Sequence, residues 1–173
     1  RIKNASYLFD SHHKLEAVYT KQLLPNYDIF EEKKYFTKGR ESCVLSILGH
    51  KVAILICEDM WASNLYELDP VKNLEQQVSS EDIVLDAVIN ISASPFNIKK
   101  NKKRVHRASV ISNSLKAPFV YVNMVGGEDE LLFDGASFVQ DSNETVLQLP
   151  AFKQHTSTIE LKSKAPYICE NAT

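Results

Sequence analysis

The sequence predicts an α/β layered fold built on a mixed sheet, and two observations lead to this prediction. First, strand patterns outnumber helix patterns along the 173 residues, because short apolar runs rich in β-branched residues recur. Second, the first third contains two hairpin patterns, whereas residues 86–122 contain a strand–helix–strand pattern. Hairpins produce antiparallel pairs and crossovers produce parallel pairs. A single layered fold that contains both therefore needs a mixed sheet with helices packed on it.

The two predicted hairpins come first. Residues 5–9 and 15–19 are predicted strands joined by a polar loop. Residues 43–48 and 51–56 form the second pair, with Gly49-His50 as the predicted tight turn, because glycine tolerates positive φ.

The rest of the chain has one strong helix pattern and several strand patterns. Residues 99–116 predict a helix, because a basic first half leads into apolar and small residues at helical spacing, and Pro118 ends it. Residues 62–82 predict a polar stretch of helix and loop. The later predicted strands are 87–91, 119–122, 136–139, 145–149 and a last strand from about residue 157, which leads into an unstructured tail.

Composition excludes several classes of function. A net charge of −2 gives no general attraction to nucleic acid or anionic lipid. No apolar segment approaches the roughly 20 residues that a membrane-spanning helix requires. The three cysteines, Cys43, Cys57 and Cys169, lack metal-ligand spacing, which indicates free thiols in a reducing compartment. We therefore expect a cytoplasmic protein with no nucleic-acid partner and no membrane partner.

The most informative segment is Cys-Glu-Asp-Met-Trp-Ala at residues 57–62, directly after a buried strand pattern. A cysteine at a strand end can act as a nucleophile when a nearby cation lowers the pKa of its thiol. Taken alone, such a cysteine is more often a small buried hydrophobic residue. Lys21, Cys57 and Ser94 each follow a predicted strand, and active sites of α/β folds lie at the carboxyl ends of strands. This shared position favours catalysis.

Each candidate side chain also has a plain structural interpretation. Lys21 could stabilise the thiolate and an oxyanion, although a lone lysine at a strand end is more often solvated. Glu32 could hold that lysine or belong to a charged surface. Glu58 and Asp59 could recognise a substrate ammonium group or cap a helix. Ser94 could donate a hydrogen bond to a ligand or occupy a turn. From the residues alone, these alternatives stay open.

Five segments in a fixed order carry a family resemblance, namely residues 21–27, 30–36, 56–61, 90–96 and 120–127. Together they resemble the nitrilase-type (carbon–nitrogen hydrolase) glutaminase domain of the glutamine-dependent NAD synthetase family. Each segment is weak alone, but five with compatible spacing are highly specific, and with residues 133–138 the resemblance covers nearly the whole chain. It implies a nitrilase-like α-β-β-α sandwich with mixed sheets, incomplete at the N-terminus.

The resemblance implies a role for each candidate. Cys57 is the expected nucleophile, which would attack the side-chain amide of glutamine and form a thioester. Lys21 is expected to support the oxyanion, and Glu32 matches a glutamate that nitrilase-type sites place beside this lysine. The residues at positions that contact glutamine in the family are Tyr27, Glu58, Ser94 and Lys100. The implied activity is glutamine hydrolysis, which supplies ammonia for the amidation of deamido-NAD to NAD.

One part of the family pattern is missing. The family's general base is a glutamate in a Phe-Pro-Glu segment well upstream of the lysine, and this chain has no such segment. We therefore expect a central piece of a larger protein, inactive or nearly so alone. Its expected parts are a partial glutaminase domain at residues 1–156, and a last strand and tail at 157–173 that lead towards a synthetase domain.

The resemblance also sets the expected ligands and partners. Glutamine is the expected substrate, and the remainder of the same enzyme is the expected partner. No metal or cofactor is expected here, because ATP and Mg²⁺ would bind the synthetase domain. Missing early strands would expose a sheet edge and an apolar face, so we also expect association into a homo-oligomer.

Three further patterns have simple explanations. The basic run at residues 99–107 lacks interleaved aromatic residues and predicts a solvated helix face, with Lys100 as the exception. Residues 126–130 predict an acidic surface loop rather than a cation site. His12-His13 lacks a third ligand at suitable spacing. Two alternatives to the glutaminase stay open: a non-catalytic nitrilase scaffold that binds or assembles with a partner, and another nitrilase-type amidase.

Overall fold

The computed structural model describes residues 2–61, 66–160 and 169–171, and within these ranges a six-stranded mixed sheet forms the centre of the molecule. The three middle strands run parallel, and each outer pairing is antiparallel, which confirms the predicted mixed sheet. In spatial order the strands are β10 (Glu144–Gln148), β9 (Phe138–Asp141), β6 (Phe119–Asn123), β5 (Ala87–Ser92), β4 (His50–Ile56) and β3 (Val44–Ile47).

Further strand pairs lie outside this sheet, and each is antiparallel. In the described ranges they are β1 (Ala5–Phe9) with β2 (Leu15–Thr20), β7 (Val125–Glu128) with β8 (Leu131–Asp134), and β11 (Ser157–Ile159) with β12 (Cys169–Asn171). The helices are α1 (Glu32–Tyr35), α2 (Pro70–Ser80) and α3 (Lys100–Leu115).

Helix α3 is the helix predicted from the sequence, one residue shorter at each end. Its buried Ala108, Ile111 and Leu115 join the apolar cluster on one face of the central sheet. Lys116 ends the helix with a left-handed φ of 52°, shortly before Pro118. Helix α2 begins at an Asp69 cap, whose carboxylate accepts two backbone N–H hydrogen bonds of the first turn.

The two faces of the central sheet are covered differently. Helices α2 and α3 pack on one face, around buried Leu55, Phe119 and Tyr121. The β1–β2 hairpin packs against the β3–β4 end of the other face through Tyr19. Neighbouring Ile91 and Val122, which pair in the β5–β6 register, are 44% and 47% exposed. An apolar part of this second face therefore meets solvent.

Several local predictions need correction. The β3–β4 turn is Leu48-Gly49, with φ values of 50° and 86°, rather than Gly49-His50. Both residues are left-handed, as the hairpin twist requires for a two-residue turn. The predicted acidic loop at 126–130 is largely a hairpin, because Gly126, Gly127 and Glu128 pair with β8. The predicted strand at 136–139 begins two residues later, since Gly135 and Ala136 have positive φ.

Some predictions fall on residues that the structure does not describe. These are the start of the polar stretch, at residues 62–65, and most of the predicted tail, at 161–168 and 172–173. Within the described ranges, no helix has the length and apolar character needed to cross a membrane.

Candidate active site

Cys57 lies where the parallel strand β4 ends. Its φ of 48° is left-handed, which is uncommon for a residue with a side chain and costs backbone energy. A short 3-10 turn, Cys57–Met60, begins there, and Asn90 of the neighbouring β5 donates a hydrogen bond of 3.3 Å to the Cys57 carbonyl. The bend turns the chain at the carboxyl end of β4 and places Cys57 in the wall of a cavity.

Lys21 directly follows β2 and is only 2% exposed. Its Nζ donates to both carboxylate oxygens of Glu32, at 2.6 and 2.8 Å. Glu32 is the first residue of α1, a helix that the sequence analysis did not predict. The nearly buried Lys21 ammonium is therefore paired with a carboxylate whose two oxygens both accept hydrogen bonds from it.

The charges around Cys57 act on its thiol in opposite directions. Burial raises the pKa of the Cys57 thiol, and the negative charges of Glu58 and Glu32 raise it further. The positive charges of Lys21 and Lys100 lower that pKa, but burial is the larger effect. Cys57 is therefore protonated near neutral pH in this arrangement, and a thiolate needs a base to form.

A cavity of about 130 Å³ opens beside Cys57. Lys21 lies behind its wall, bound to Glu32. The other residues with a predicted catalytic or glutamine-binding role line the cavity, namely Cys57, Glu32, Tyr27, Glu58, Ser94 and Lys100. Asp59 is instead fully buried. The structure thus brings together side chains that are up to 79 positions apart in the sequence, from Lys21 to Lys100.

Two phenols hold the Glu58 carboxylate. Tyr27 and Tyr66 each donate a hydrogen bond to Glu58 Oε1, at 2.9 and 3.0 Å. Burial and the Glu58 carboxylate raise the pKa of both tyrosines, so both hydroxyls stay protonated donors. Tyr66 was missed because the sequence analysis treated residues 62–82 as one polar stretch.

Arg104 is the largest correction to the site. It lies in the basic run that predicts a solvated face, yet it is fully buried. Its guanidinium bonds both carboxylate oxygens of Asp134, at 2.8 and 2.9 Å. The same group donates to the carbonyl and hydroxyl of Ser94 and to the Pro95 carbonyl, at 3.0, 3.2 and 3.3 Å. Arg104 therefore holds the β5 end of the cavity from behind.

Lys100 lies one turn earlier on the same helix. Its Nζ donates to the Pro95 carbonyl at 3.2 Å, and burial lowers the pKa of its ammonium group.

The sequence did contain a signal for the burial of Arg104, because positions 104, 108, 111 and 115 form one stripe at helical spacing. A basic side chain on that stripe has to find partners inside the protein.

The fold of the chain is that of the nitrilase class. A mutant of the Nesterenkonia AN1 amidase, from the nitrilase superfamily, has a TM-score of 0.65 and 22% identity, over 84% of this chain and 50% of that one. Another mutant of the amidase from Nesterenkonia sp. AN1 shows covalent addition of the acetamide moiety of fluoroacetamide at the active site cysteine. This likeness confirms the predicted nitrilase-like fold.

Sequence likeness narrows the class to one family. The glutamine-dependent NAD(+) synthetase of Acinetobacter baylyi is 40% identical over 139 residues, which are 80% of this chain and 24% of that protein. The glutamine-dependent NAD+ synthetase of Acinetobacter baumannii in complex with ADP has a TM-score of 0.71 and 36% identity, over 87% of this chain and 29% of that one. No protein-family model matches the chain.

This chain therefore corresponds to the nitrilase-type segment of the glutamine-dependent NAD(+) synthetases. It spans about a quarter of the length of the curated relatives that it matches, since the covered share of the first three is 24% in each case.

Proposed function

We propose that this chain hydrolyses the side-chain amide of glutamine, as part of a larger protein that uses the ammonia to convert deamido-NAD to NAD. The observation that carries the proposal is the shared cavity of Cys57 and Glu32, with Lys21 bound behind it. A thiol beside a buried lysine–glutamate pair suits acyl transfer from an amide.

The proposed reaction has two stages. A base removes the Cys57 proton, the sulfur attacks the amide carbon, and the carbonyl electron pair moves to oxygen. The C–N bond then breaks, the nitrogen takes the proton held by the base, and ammonia leaves a thioester behind. Water loses a proton to the same base, attacks the thioester and releases glutamate, and the proton returns to the sulfur.

Lys21 and Glu32 have separate roles in this proposal. The Lys21 ammonium lowers the pKa of Cys57 and stabilises the oxyanion of each tetrahedral intermediate. Glu32 keeps that ammonium in place, because both of its oxygens accept hydrogen bonds from Lys21. A carboxylate used in this way is poorly placed to move protons between sulfur and nitrogen.

The general base therefore has to come from another part of the protein. We propose a glutamate upstream of Lys21, as the family pattern implies, and accordingly little or no glutamine hydrolysis by residues 1–173 alone. The raised pKa of the Cys57 thiol supports this division, because the described residues leave the thiol protonated near neutral pH.

Four cavity residues would recognise glutamine. Glu58 would accept hydrogen bonds from the α-ammonium group, and its phenol partners Tyr27 and Tyr66 fix its orientation. Lys100 would pair with the α-carboxylate, since it is the cation that lines the described cavity. Ser94, whose hydroxyl accepts a hydrogen bond from Arg104, would form a hydrogen bond with a polar group of glutamine.

The remaining features of the proposal concern the whole protein. We propose that ATP and Mg²⁺ bind a synthetase part outside residues 1–173, and that this chain needs no cofactor of its own. A reducing cytoplasm suits its free thiols Cys43 and Cys57. The exposed apolar pair Ile91 and Val122 supports assembly into a homo-oligomer.

Covalent labelling tests the proposal in the full-length protein that carries this sequence. The diazoketone analogue of glutamine should modify Cys57 and leave Cys43 unmodified, as read by peptide mass spectrometry. Excess glutamine should prevent the modification, whereas excess norleucine, which has no side-chain amide, should not. Labelling of Cys57 that glutamine does not reduce would contradict a glutamine site.

Two other outcomes of the same experiment identify the alternatives. If Cys57 reacts with fluoroacetamide but not with the glutamine analogue, the site belongs to another nitrilase-type amidase. If neither reagent modifies Cys57 in the folded full-length protein, the fold serves as a non-catalytic scaffold.

A further inference from the structure

Asp59 is fully buried, and its carboxylate accepts hydrogen bonds from two separate segments of the described chain. Oδ1 accepts from the backbone N–H groups of Gln22 and Leu23, at 3.0 and 2.7 Å. Oδ2 accepts from the Tyr19 hydroxyl at 2.7 Å and from the backbone N–H of Ile56 at 3.2 Å. Each oxygen thus has two donors.

These donors flank the two residues that the proposed reaction needs most. Tyr19 and Gln22 lie on either side of the segment that carries Lys21, and Ile56 directly precedes Cys57. The Asp59 carboxylate therefore connects the end of β2 to the end of β4. The hairpin β1–β2 makes no strand pairing with the central sheet among the described residues, so the Asp59 hydrogen bonds and the packing of Tyr19 hold one against the other.

We propose that Asp59 is a positioning residue, which holds the Lys21 ammonium at a fixed distance from the Cys57 sulfur. The proposal rests on the proposed function in one respect, namely the role of Cys57 as a nucleophile supported by Lys21. Asp59 itself touches neither substrate nor the reacting atoms.

The contacts explain why this position needs a carboxylate. Asparagine has the same shape, but its amide nitrogen is a donor and would face either Ile56 N–H or the pair of Gln22 and Leu23 N–H groups. A donor that faces another buried donor loses a hydrogen bond and repels its neighbour. Asp59→Asn therefore releases one of the two segments while it preserves volume.

The test measures the rate at which iodoacetamide alkylates Cys57 across pH, in the full-length protein. A displaced Lys21 stabilises the thiolate less, so the apparent pKa of Cys57 should rise by about one unit in Asp59→Asn, with a roughly tenfold slower reaction near neutral pH. Lys21→Met should produce a rise at least as large.

A double mutant separates positioning from general destabilisation. If Asp59 acts through Lys21, Asp59→Asn should cause no further rise of the Cys57 pKa in the Lys21→Met background. A rise of equal size in both backgrounds would overturn the proposal, because Asp59 would then act on Cys57 independently of Lys21.

Ser112→Ala is the matched control for lost stability. Ser112 is also fully buried, and its hydroxyl bonds the Ala117 carbonyl and the Ser142 N–H, far along α3 from the cavity. The Ser112→Ala substitution should lower the melting temperature and leave the alkylation profile of Cys57 unchanged. An Asp59→Asn protein with a lower melting temperature but a wild-type profile would show a purely structural role and overturn the proposal.

A milder variant covers the case in which Asp59→Asn does not fold. Tyr19→Phe removes one hydroxyl donor and should raise the Cys57 pKa in the same direction by a smaller, roughly twofold effect on rate. An unchanged profile in this variant would count against positioning. Alkylation needs no glutamine, so failure of the glutamine-protection experiment leaves this test readable.

Discussion

The two ends of the cavity are each held from behind by a buried aspartate, but the partners differ. Asp59 supports the Cys57 end, which we call the nucleophile end after the role proposed for Cys57. It bonds neutral donors, three backbone N–H groups and a phenol among the described residues. Asp134 supports the opposite end and bonds the Arg104 guanidinium. The first end already contains the Lys21 ammonium, whereas the second end presents carbonyls that need donors.

The partner of each aspartate follows from what its wall contains. At the nucleophile end, a further cation would compete with Lys21 for Glu32. The Asp59 carboxylate is bound by neutral donors instead, which avoids this competition. At the other end, the carbonyls of Ser94 and Pro95 follow the end of β5, and a guanidinium can reach both while it binds a carboxylate. The nucleophile end therefore relies on hydrogen bonds, and the opposite end relies on a buried ion pair.

Loss of Asp134 should show the largest effect. Asp134→Ala leaves the Arg104 guanidinium buried without its carboxylate, which typically costs about 3–5 kcal/mol. Chemical denaturation should show this fall in the free energy of unfolding, and exposed Glu130→Ala in the adjacent turn should show none. A cost below about 1 kcal/mol would mean that water or another carboxylate replaces Asp134.

At the nucleophile end, loss of one donor to the aspartate should cost less. Tyr19→Phe removes one donor from a carboxylate that keeps three backbone donors in the described chain, so we expect a loss of about 2 kcal/mol. The same denaturation experiment measures it, with exposed Tyr7→Phe as the control. If Tyr19→Phe proved as costly as Asp134→Ala, the distinction between the two ends would fail.

Lys100 should separate binding from stability. It is half-buried and makes one hydrogen bond to the Pro95 carbonyl, so Lys100→Met should change the free energy of unfolding by only about 1 kcal/mol. Protection of Cys57 by glutamine should nevertheless weaken at least about tenfold, because a charged partner of the ligand is lost. Exposed Lys103→Met is the control, and protection at the wild-type glutamine concentration would remove Lys100 from the proposed site.

The last prediction concerns the ionisation of Asp59, which a change of pH alters without any substitution. Burial raises the pKa of Asp59 from 3.8 to about 6, although its backbone and phenol donors oppose that rise. A folded pKa above the unfolded value means that this group stabilises the protein most below the unfolded pKa, and that its contribution is lost as the pH rises through about 6. Carboxyl ¹³C NMR titration should place the Asp59 midpoint near 6. A midpoint near 3.8 would show that the donors fully offset the effect of burial.

Much of this arrangement could be predicted from local patterns. The strands that precede Lys21, Cys57 and Ser94 have apolar patterns, and the ends of these strands mark the positions of the three residues. Helix α3 has both a clear period and a clear end. These features depend on neighbours in the sequence, which a single chain displays directly.

The supports behind the cavity could not be predicted in the same way. Asp59 and its donors at Gln22 and Leu23 are more than 30 positions apart, and backbone N–H groups leave no mark on the sequence. Arg104 was assigned to a solvated run because its neighbours are basic, although the helical stripe placed it inside. Val125–Glu128 was missed as a strand because its glycines are typical of loops.

The left-handed backbone of Cys57 has a consequence for how this position changes over evolutionary time. Glycine adopts a φ of 48° without the cost that a side chain incurs, so the backbone alone favours replacement of the cysteine. Cys57→Gly removes the sulfur and also removes the energetic cost of the left-handed backbone at this position. Where the proposed reaction is no longer needed, the backbone therefore favours Cys57→Gly, and a chain that retains the cysteine also retains this backbone cost.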